Sequence, residues 1–393
     1  MNSIGAEGGP AVRNEAAPAG LDLGVTTIAS PLLSRHGAVA AGGPDSGVAA
    51  HYGEPNREQR DLARGLAVVD LSHLGVVTVT GVDRLSWLHT LSSQDVATLA
   101  PGVSTELLLL DPNGRVEHAP AVVDDGTTTW LITEADDAAG LAAFLESMRF
   151  MLRVDVAVDT ETAVLGTSAA GPSLRTDDGA EPVTWRDPWP ATAPGSTRYG
   201  PADADHPGSE WAAQLWLVPR TEVPAVVRAA ESAGARLAGA WAWEAMRVAA
   251  WRPRLAREVD ERAIPHELDW LRTGVHLNKG CYRGQETVAR VFNLGRPPRR
   301  LVMLHLDGSE HLTPEPGEVV LDGEREVGRV TSVVRHHELG PVALAVIKRN
   351  VAPDVQLTVG GIAAAQELIV SVEGAGTNRP EPAAGPKLRR RTL

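Results

Sequence analysis

The last third of the chain constrains its fold most. Leu301 to Leu306, Gly317 to Leu321, Val327 to Val334, Val342 to Ile347 and Val355 to Val359 are short apolar runs separated by turn residues. Many short strands at close spacing must manage their edges by curling, so residues 298–372 read as a small β-barrel or sandwich. Asp322-Gly323 supplies one hairpin turn, because glycine accepts positive φ without strain. Asn293 to Arg300 contains Gly-Arg-Pro-Pro and reads as the linker into this unit.

Upstream, strand and helix signals mix without a regular βαβ rhythm. Val76 to Val79 suggests a half-buried strand, and Asp83 stands where a helix cap would stand, ahead of the stripe Leu85, Leu88 and Leu91. Leu107 to Leu110 runs into Asp111-Pro112-Asn113-Gly114, where Asn-Gly predicts a two-residue hairpin. Strands are expected at Val116 to Val123, Thr128 to Thr133, Val154 to Val158, Ala163 to Gly166 and Ala212 to Val218. Helices are expected at Asp136 to Met148, with Leu141, Phe144, Leu145 and Met148 inward, at a Thr221-capped segment ending near Ser232, and at Gly239 to Ala250. Residues 171–207 are rich in Pro, Gly, Asp and Thr and read as a long surface excursion. The class predicted is α+β with antiparallel sheets. At 393 residues the chain exceeds what a single core of about 250–300 residues supports, so it is divided into more than one unit.

A net charge of −13 disfavours a nucleic-acid surface, which needs clustered cations, and docking on an anionic membrane. No apolar stretch approaches the roughly 20 residues that span a bilayer. Residues 1–20 lack a basic start and an apolar core, so they read as a flexible tail rather than a secretory signal, and residues 373–393, ending in Arg389, Arg390 and Arg391, read as a second tail. One cysteine excludes an intramolecular disulfide and suits a reducing cytoplasm.

That cysteine lies in the most informative segment, Lys279-Gly280-Cys281-Tyr282-Arg283-Gly284-Gln285-Glu286. A lysine two residues away can favour the thiolate, which is the reactive form. Gly280 and Gly284 permit a turn or a close approach, and Gln285 with Glu286 offers donors and acceptors suited to a heterocycle edge. The opposing reading is that a lone cysteine is usually a small buried apolar residue. Trp241, Trp243, Trp251 and Trp270 are candidate stacking surfaces, with core packing as the alternative. Arg247, Arg254 and Arg283 could hold carboxylates of a ligand. His266-Glu267 with His276 lacks metal-site spacing, so no metal is expected. His336-His337 reads as a solvated turn.

Lys-Gly-Cys-Tyr-x-Gly-Gln-Glu resembles the signature of the YgfZ family, relatives of the glycine-cleavage T-protein that act in iron–sulfur protein assembly or repair. Arg247-Val248-Ala249-Ala250 before Pro253, Ile264-Pro265-His266-Glu267, Val288-Ala289-Arg290, and Asp70-Leu71-Ser72-His73 with Gly81-Val82-Asp83 extend the resemblance over about residues 60–370. The Arg-Pro-Pro-Arg-Arg run before the barrel is similar to the actinobacterial type. The resemblance implies two ferredoxin-like α/β units within residues 21–297 plus the C-terminal barrel. It implies tetrahydrofolate as cofactor, iron–sulfur proteins or assembly factors as partners, and Cys281 with Lys279 as the catalytic pair. Gly280, Tyr282, Arg283, Gly284, Gln285, Glu286, Arg247 and Trp251 would contact the folate. Two departures stand against aminomethyl transfer of the T-protein kind. Glu117 and His118 replace the Asp-Asp pair of T-protein relatives, and Ala249 replaces a glutamate that contacts the pterin there. The rival functions are such a one-carbon transferase and a plain interaction scaffold.

Overall fold

The computed structural model describes residues 28–309 and 312–380. The expectations for residues 1–20 and for Arg389 to Arg391 fall outside them.

Two five-stranded sheets lie face to face. In the first, the strands run in the order Asp155–Asp159, Gly75–Thr80, Thr128–Thr133, Ala121–Asp124, Ser104–Glu106, all antiparallel. In the second, the order is Val183–Arg186, Ala213–Pro219, Thr162–Ser168, Ala67–Asp70, Arg236–Ala238, with only the last pair parallel. Successive strand residues point to opposite faces. Val76, Val123 and Ile132 therefore meet Val69, Val164, Leu215 and Leu217 in a core between the sheets. Their neighbours Val77, Val122 and Leu131 turn outward beneath the helices Arg84–Leu91 and Ala135–Ser147. On the second sheet Val68, Leu165 and Trp216 do the same beneath helix Val223–Ser232. With apolar cover on both faces, these strands read as continuous apolar runs rather than alternating ones.

The barrel closes with six strands in the order Arg299–Leu306, Gly340–Lys348, Arg325–His336, Val319–Asp322, Leu357–Val359, Ile362–Leu368. Its interior is filled by Val302, Leu304, Ala343, Ala345 and Ile347, while Leu301, Met303 and Leu344 turn outward against the rest of the chain. The α+β class, the two α/β units and the C-terminal barrel agree with expectation. The sixth strand was unexpected, because Ala363, Ala364 and Ala365 carry little β-propensity and strand formation there follows from pairing on both sides.

Several local expectations are corrected. The excursion 171–207 contains the edge strand Val183–Arg186 and buries Trp185, Trp189 and Tyr199, so its Pro and Gly residues shape an irregular core segment. Pro120 splits the expected strand Val116 to Val123 into Val116–His118 and Ala121–Asp124, since it lacks an N–H for the ladder. The Asn113-Gly114 turn spans Asp111 to Arg115 rather than two residues, because the Asp111 carboxylate accepts from the amides of Asn113 and Arg115. Asp83 stands at the N-cap position as expected, but its carboxylate pairs with Arg153 and bonds no helix amide, and Thr221 lies in a 3-10 turn before Val223. Met148 is exposed. His336 is buried, not solvated, and burial with His337 beside it pushes its pKa down to about 4. Residues 371–379 are tied down, with Ser371 and Thr377 donating to the Tyr199 and Arg198 carbonyls and Arg379 to that of Gly295.

Candidate functional site

Cys281 is exposed, so it is not the buried apolar residue that lone cysteines usually are. The loop around it is fixed on both sides. Before it, the buried Lys279 ammonium donates to the carbonyls of His89, Ser92 and Gln94 at the end of helix Arg84–Leu91, which satisfies acceptors that a helix leaves unpaired. These three bonds take all three ammonium donors, so Lys279 acts here as an anchor. Burial pushes its pKa down to about 8. After it, Gly284 has φ +82° and caps helix Gln285–Asn293, whose Val288 and Phe292 are buried. Gln285 and Glu286 thus occupy the first helical turn, and the Gln285 amide donates to the Lys279 carbonyl at 3.5 Å. Gly280 is open: a β-carbon added there would meet no atom within 4 Å. Tyr282 is buried against the outer face of the barrel with Val288 and Trp270. Arg283 pairs with Glu117 at 2.9 Å and covers the Phe144 ring. Next to Glu117, His118 Nδ1 lies 2.5 Å from Asp137.

A cavity of about 130 Å³ opens between the two sheets, lined by Leu71, Leu74, Ile132 and Leu215 and by the indoles of Trp185, Trp211, Trp243 and Trp270. Residues 279–286 do not line it, and neither does Trp251, which packs in the core with its indole N–H 2.9 Å from Met303 Sδ. Of Gly280, Tyr282, Arg283, Gly284, Gln285, Glu286, Arg247 and Trp251, only Arg247 reaches the cavity wall, where the stacking candidates Trp243 and Trp270 and the carboxylate candidate Arg254 also stand. The structure therefore separates the thiol loop from the cavity. Trp270 joins them, since it lines the cavity and packs in the same cluster as Tyr282.

The cavity's polar wall is an ion network that no short motif announces. Arg247 holds Glu244 through two bonds, Glu258 at 3.0 Å and Ser332 at 2.8 Å. Arg254 holds Glu134 through two bonds, Asp45 at 2.7 Å and Glu244 at 2.9 Å. Arg252 holds Glu106 through two bonds and Asp187 at 3.1 Å. Burial pushes the Asp45 carboxyl up, yet His73 and Arg254 together hold it well below the usual range. At Asp187 burial wins over Arg252 and the pKa is raised. Arg252, Glu106, Asp187, Asp45, Glu134 and Glu244 carry no signal in the sequence beyond the run Arg252-Pro253-Arg254 directly after a helix, and His73 is marked there only as part of the Asp70-Leu71-Ser72-His73 segment.

One polar group of the wall is uncommitted, the buried Trp270 indole N–H, and beside it His73 faces Asp45 with Nε2 at 3.3 Å while its Nδ1 has no partner. With flat indoles around them, an orphan donor and an imidazole fit the edge of a planar heterocycle. His266 is fully buried and Glu267 binds Arg299, and no cluster of three or more His, Cys, Asp or Glu suited to a metal occurs among the described residues. No helix among them is long and apolar enough to cross a membrane.

Known proteins share this architecture. Residues 299–374 match the family model of the glycine cleavage T-protein C-terminal barrel domain. The chain is homologous to the aminomethyltransferase superfamily. It is 29% identical over 285 residues to the aminomethyltransferase of Thermus thermophilus, covering 70% of this chain and 77% of the relative. A chloroplastic protein of Arabidopsis thaliana named as a transferase is 25% identical over 334 residues, 78% of this chain and 71% of its own. The tRNA-modifying protein YgfZ of Vibrio atlanticus is 24% identical over 306 residues, 76% of this chain and 89% of its own. The crystal structure of aminomethyltransferase T from the glycine cleavage system of Bartonella henselae shares the fold, with TM-score 0.68 at 17% identity, covering 87% of this chain and 96% of that one.

Proposed function

We propose that the chain is a tetrahydrofolate-binding accessory protein of the YgfZ type that serves iron–sulfur proteins or their assembly factors in the cytoplasm, with Cys281 as its working thiol. The observation that carries this reading is the exposed Cys281 on a loop held by the Lys279 anchor and the Gly284 elbow. A thiol displayed on a fixed loop can reach a partner protein, and the fixation lowers the ordering cost of meeting it.

The folate would enter the cavity between the sheets by its heterocycle. Trp270 would donate to a ring acceptor, the His73–Asp45 pair would meet the opposite edge, and Trp243 would supply a flat face. Bound tetrahydrofolate supplies a reduced pterin able to carry a one-carbon unit. The protein's part is to orient that ring, exclude water through Leu71, Leu74, Ile132 and Leu215, and keep the cavity's carboxylates neutralised by Arg247, Arg252 and Arg254.

Homology to aminomethyltransferases favours a second reading, transfer of an aminomethyl group to folate. Glu117 and His118, at the positions of the T-protein acids, are engaged by Arg283 and Asp137, and we expect no product from an aminomethyl-lipoyl carrier. Calorimetric titration with tetrahydrofolate tests the folate reading itself. Saturable binding is expected, and its absence would leave the interaction scaffold as the better account.

A further inference from the structure

Where the linker enters the barrel, a group of arginines stands without acids. Residues 290–300 contain four arginines and no carboxylate. Arg299 reaches back to Asp260 and Glu267, but Arg296 forms no ion pair among the described residues, and neither do Arg300, Arg349 and Arg379. They donate to backbone carbonyls instead: Arg296 to Gly295, Arg349 to Val372, and Arg379 to Asn293 and Gly295. Arg300, buried beneath them, donates to the carbonyls of Arg349 and Val351 and to Gln366. Such bonds fix a guanidinium but leave its charge in place. In the inner cavity, by contrast, Arg247, Arg252 and Arg254 each hold at least two carboxylates.

Gly374 lets two of these side chains converge. Its φ is +56°, and a β-carbon there would stand 2.8 Å from the Arg349 Cδ and 3.4 Å from the Arg296 Cδ, so both stems crowd one point. The Arg349 Nε is buried there without a hydrogen-bond partner. Like charges drawn together repel, and no described carboxylate offsets them. Glu373, the one carboxylate of residues 371–379, forms an ion pair with none of them. Among the arginines Leu294 is 80% exposed, an apolar side chain on a turn whose flanking carbonyls, Asn293 and Gly295, are held by Arg379.

We infer that Leu294, Arg296, Arg349 and Arg379 form a docking surface for an acidic protein partner, which sets an apolar side chain on Leu294 and its carboxylates on the arginines. The one aromatic residue of residues 290–300 and 371–379, Phe292, is buried, so the surface offers no platform on which nucleic-acid bases could stack. The surface is continuous with the thiol loop. The two lie at opposite ends of helix Gln285–Asn293, about 13 Å apart. Between them Glu286, Arg290 and Asn293, spaced as i, i+4 and i+7, are exposed along one side of the helix. A standard interface covers about 800 Å² on each partner, wide enough to include both ends. The inference deepens the reading of Cys281 as a working thiol, because it places the partner that the thiol would meet.

The test measures binding of a fluorescent peptide of Glu-Glu-Leu repeats by anisotropy, with Gln-Gln-Leu repeats as the neutral probe and a single-stranded RNA as the nucleic-acid probe. The hosts are the wild type, Cys281→Ser, Arg296→Gln and Leu294→Ser. Arg296 and Leu294 are exposed, so their variants should melt with the wild type. The acidic peptide is expected to bind the wild type and Cys281→Ser alike, about tenfold tighter than the neutral one, to weaken about threefold on each of the other variants, and to weaken as salt rises. An acidic peptide that binds no tighter than the neutral one, variants that bind it as the wild type does, or RNA that binds more tightly overturns the docking surface. The placement beside Cys281 is read with a pyridyl disulfide on each peptide. The Cys281 thiolate attacks the peptide sulfur, the Cys281–peptide disulfide forms, and pyridine-2-thiolate leaves. This exchange should run about tenfold faster with the acidic peptide, and equal rates overturn the placement. Failure of the thiol reading shows elsewhere, in function retained by Cys281→Ser, and leaves the binding result standing.

Discussion

Gly284 lies directly against Gly114: a β-carbon on Gly284 would stand 3.0 Å from the Gly114 Cα and 2.6 Å from the Asp111 carbonyl oxygen. Two turns far apart in sequence thus touch through their glycines, which brings the Cys281 loop against the Asp111–Arg115 turn of the first α/β unit.

Both glycines also have positive φ, +82° and +77°. Gly284→Ala combines backbone strain with a clash against backbone that cannot swing away. A loss of about 2–3 kcal/mol is expected in urea unfolding. Gly280→Ala, at an open position, should cost far less.

Lys279→Met leaves the carbonyls of His89, Ser92 and Gln94 without their donor. The expected cost is about 1–3 kcal/mol, with faster amide exchange confined to the last turn of helix Arg84–Leu91. If Lys279 served only to tune the thiol, exchange in that helix would not change.

Arg254→Met would strand Glu134, Asp45 and Glu244 around the cavity. Removing one partner of a buried ion cluster typically costs about 3–5 kcal/mol, and urea denaturation should show a loss in that range.

His266 gives a pH dependence with a definite sign. Burial pushes its pKa from 6.5 down to about 4, opposed in part by the Val288 carbonyl. Between those values the unfolded chain binds the extra proton and the folded chain does not. Its contribution is therefore fully present above pH 6.5 and is lost as pH falls toward 4, on the order of 3 kcal/mol. His206, lowered to about 3 chiefly by burial, acts in the same direction. An NMR titration should show the His266 ring neutral at pH 5, and a midpoint near 6.5 would contradict this.

The barrel was legible because its signals are local: valine-rich strands recur within one segment. The loop of Gly280, Cys281 and Gly284 also lies within five residues, and its role is the proposal. The cavity was not legible, since its walls come from Asp45, His73, Glu106, Glu134, Asp187, Glu244 and Arg254, which only the fold brings together. The same distance effect hid the partners of Arg254. Arg254 looks available in sequence, yet Glu134 and Asp45, 120 and 209 residues away, occupy it together with Glu244, whereas the partners of Arg247, Glu244 and Glu258, lie 3 and 11 residues from it. Residues 171–207 misled for another reason: their Pro and Gly content signals irregular backbone, which here is buried.

Cys281 is the proposed working thiol, and it is exposed. Because the side chain is exposed, Cys281→Ser should change stability by less than about 0.5 kcal/mol, so a functional loss cannot be blamed on unfolding. The most direct measurement is the activity of an iron–sulfur enzyme in a deletion strain complemented with wild-type or Cys281→Ser protein at equal abundance. The account predicts restored activity with the wild type and activity near that of the uncomplemented strain with Cys281→Ser. Equal restoration by both would contradict it.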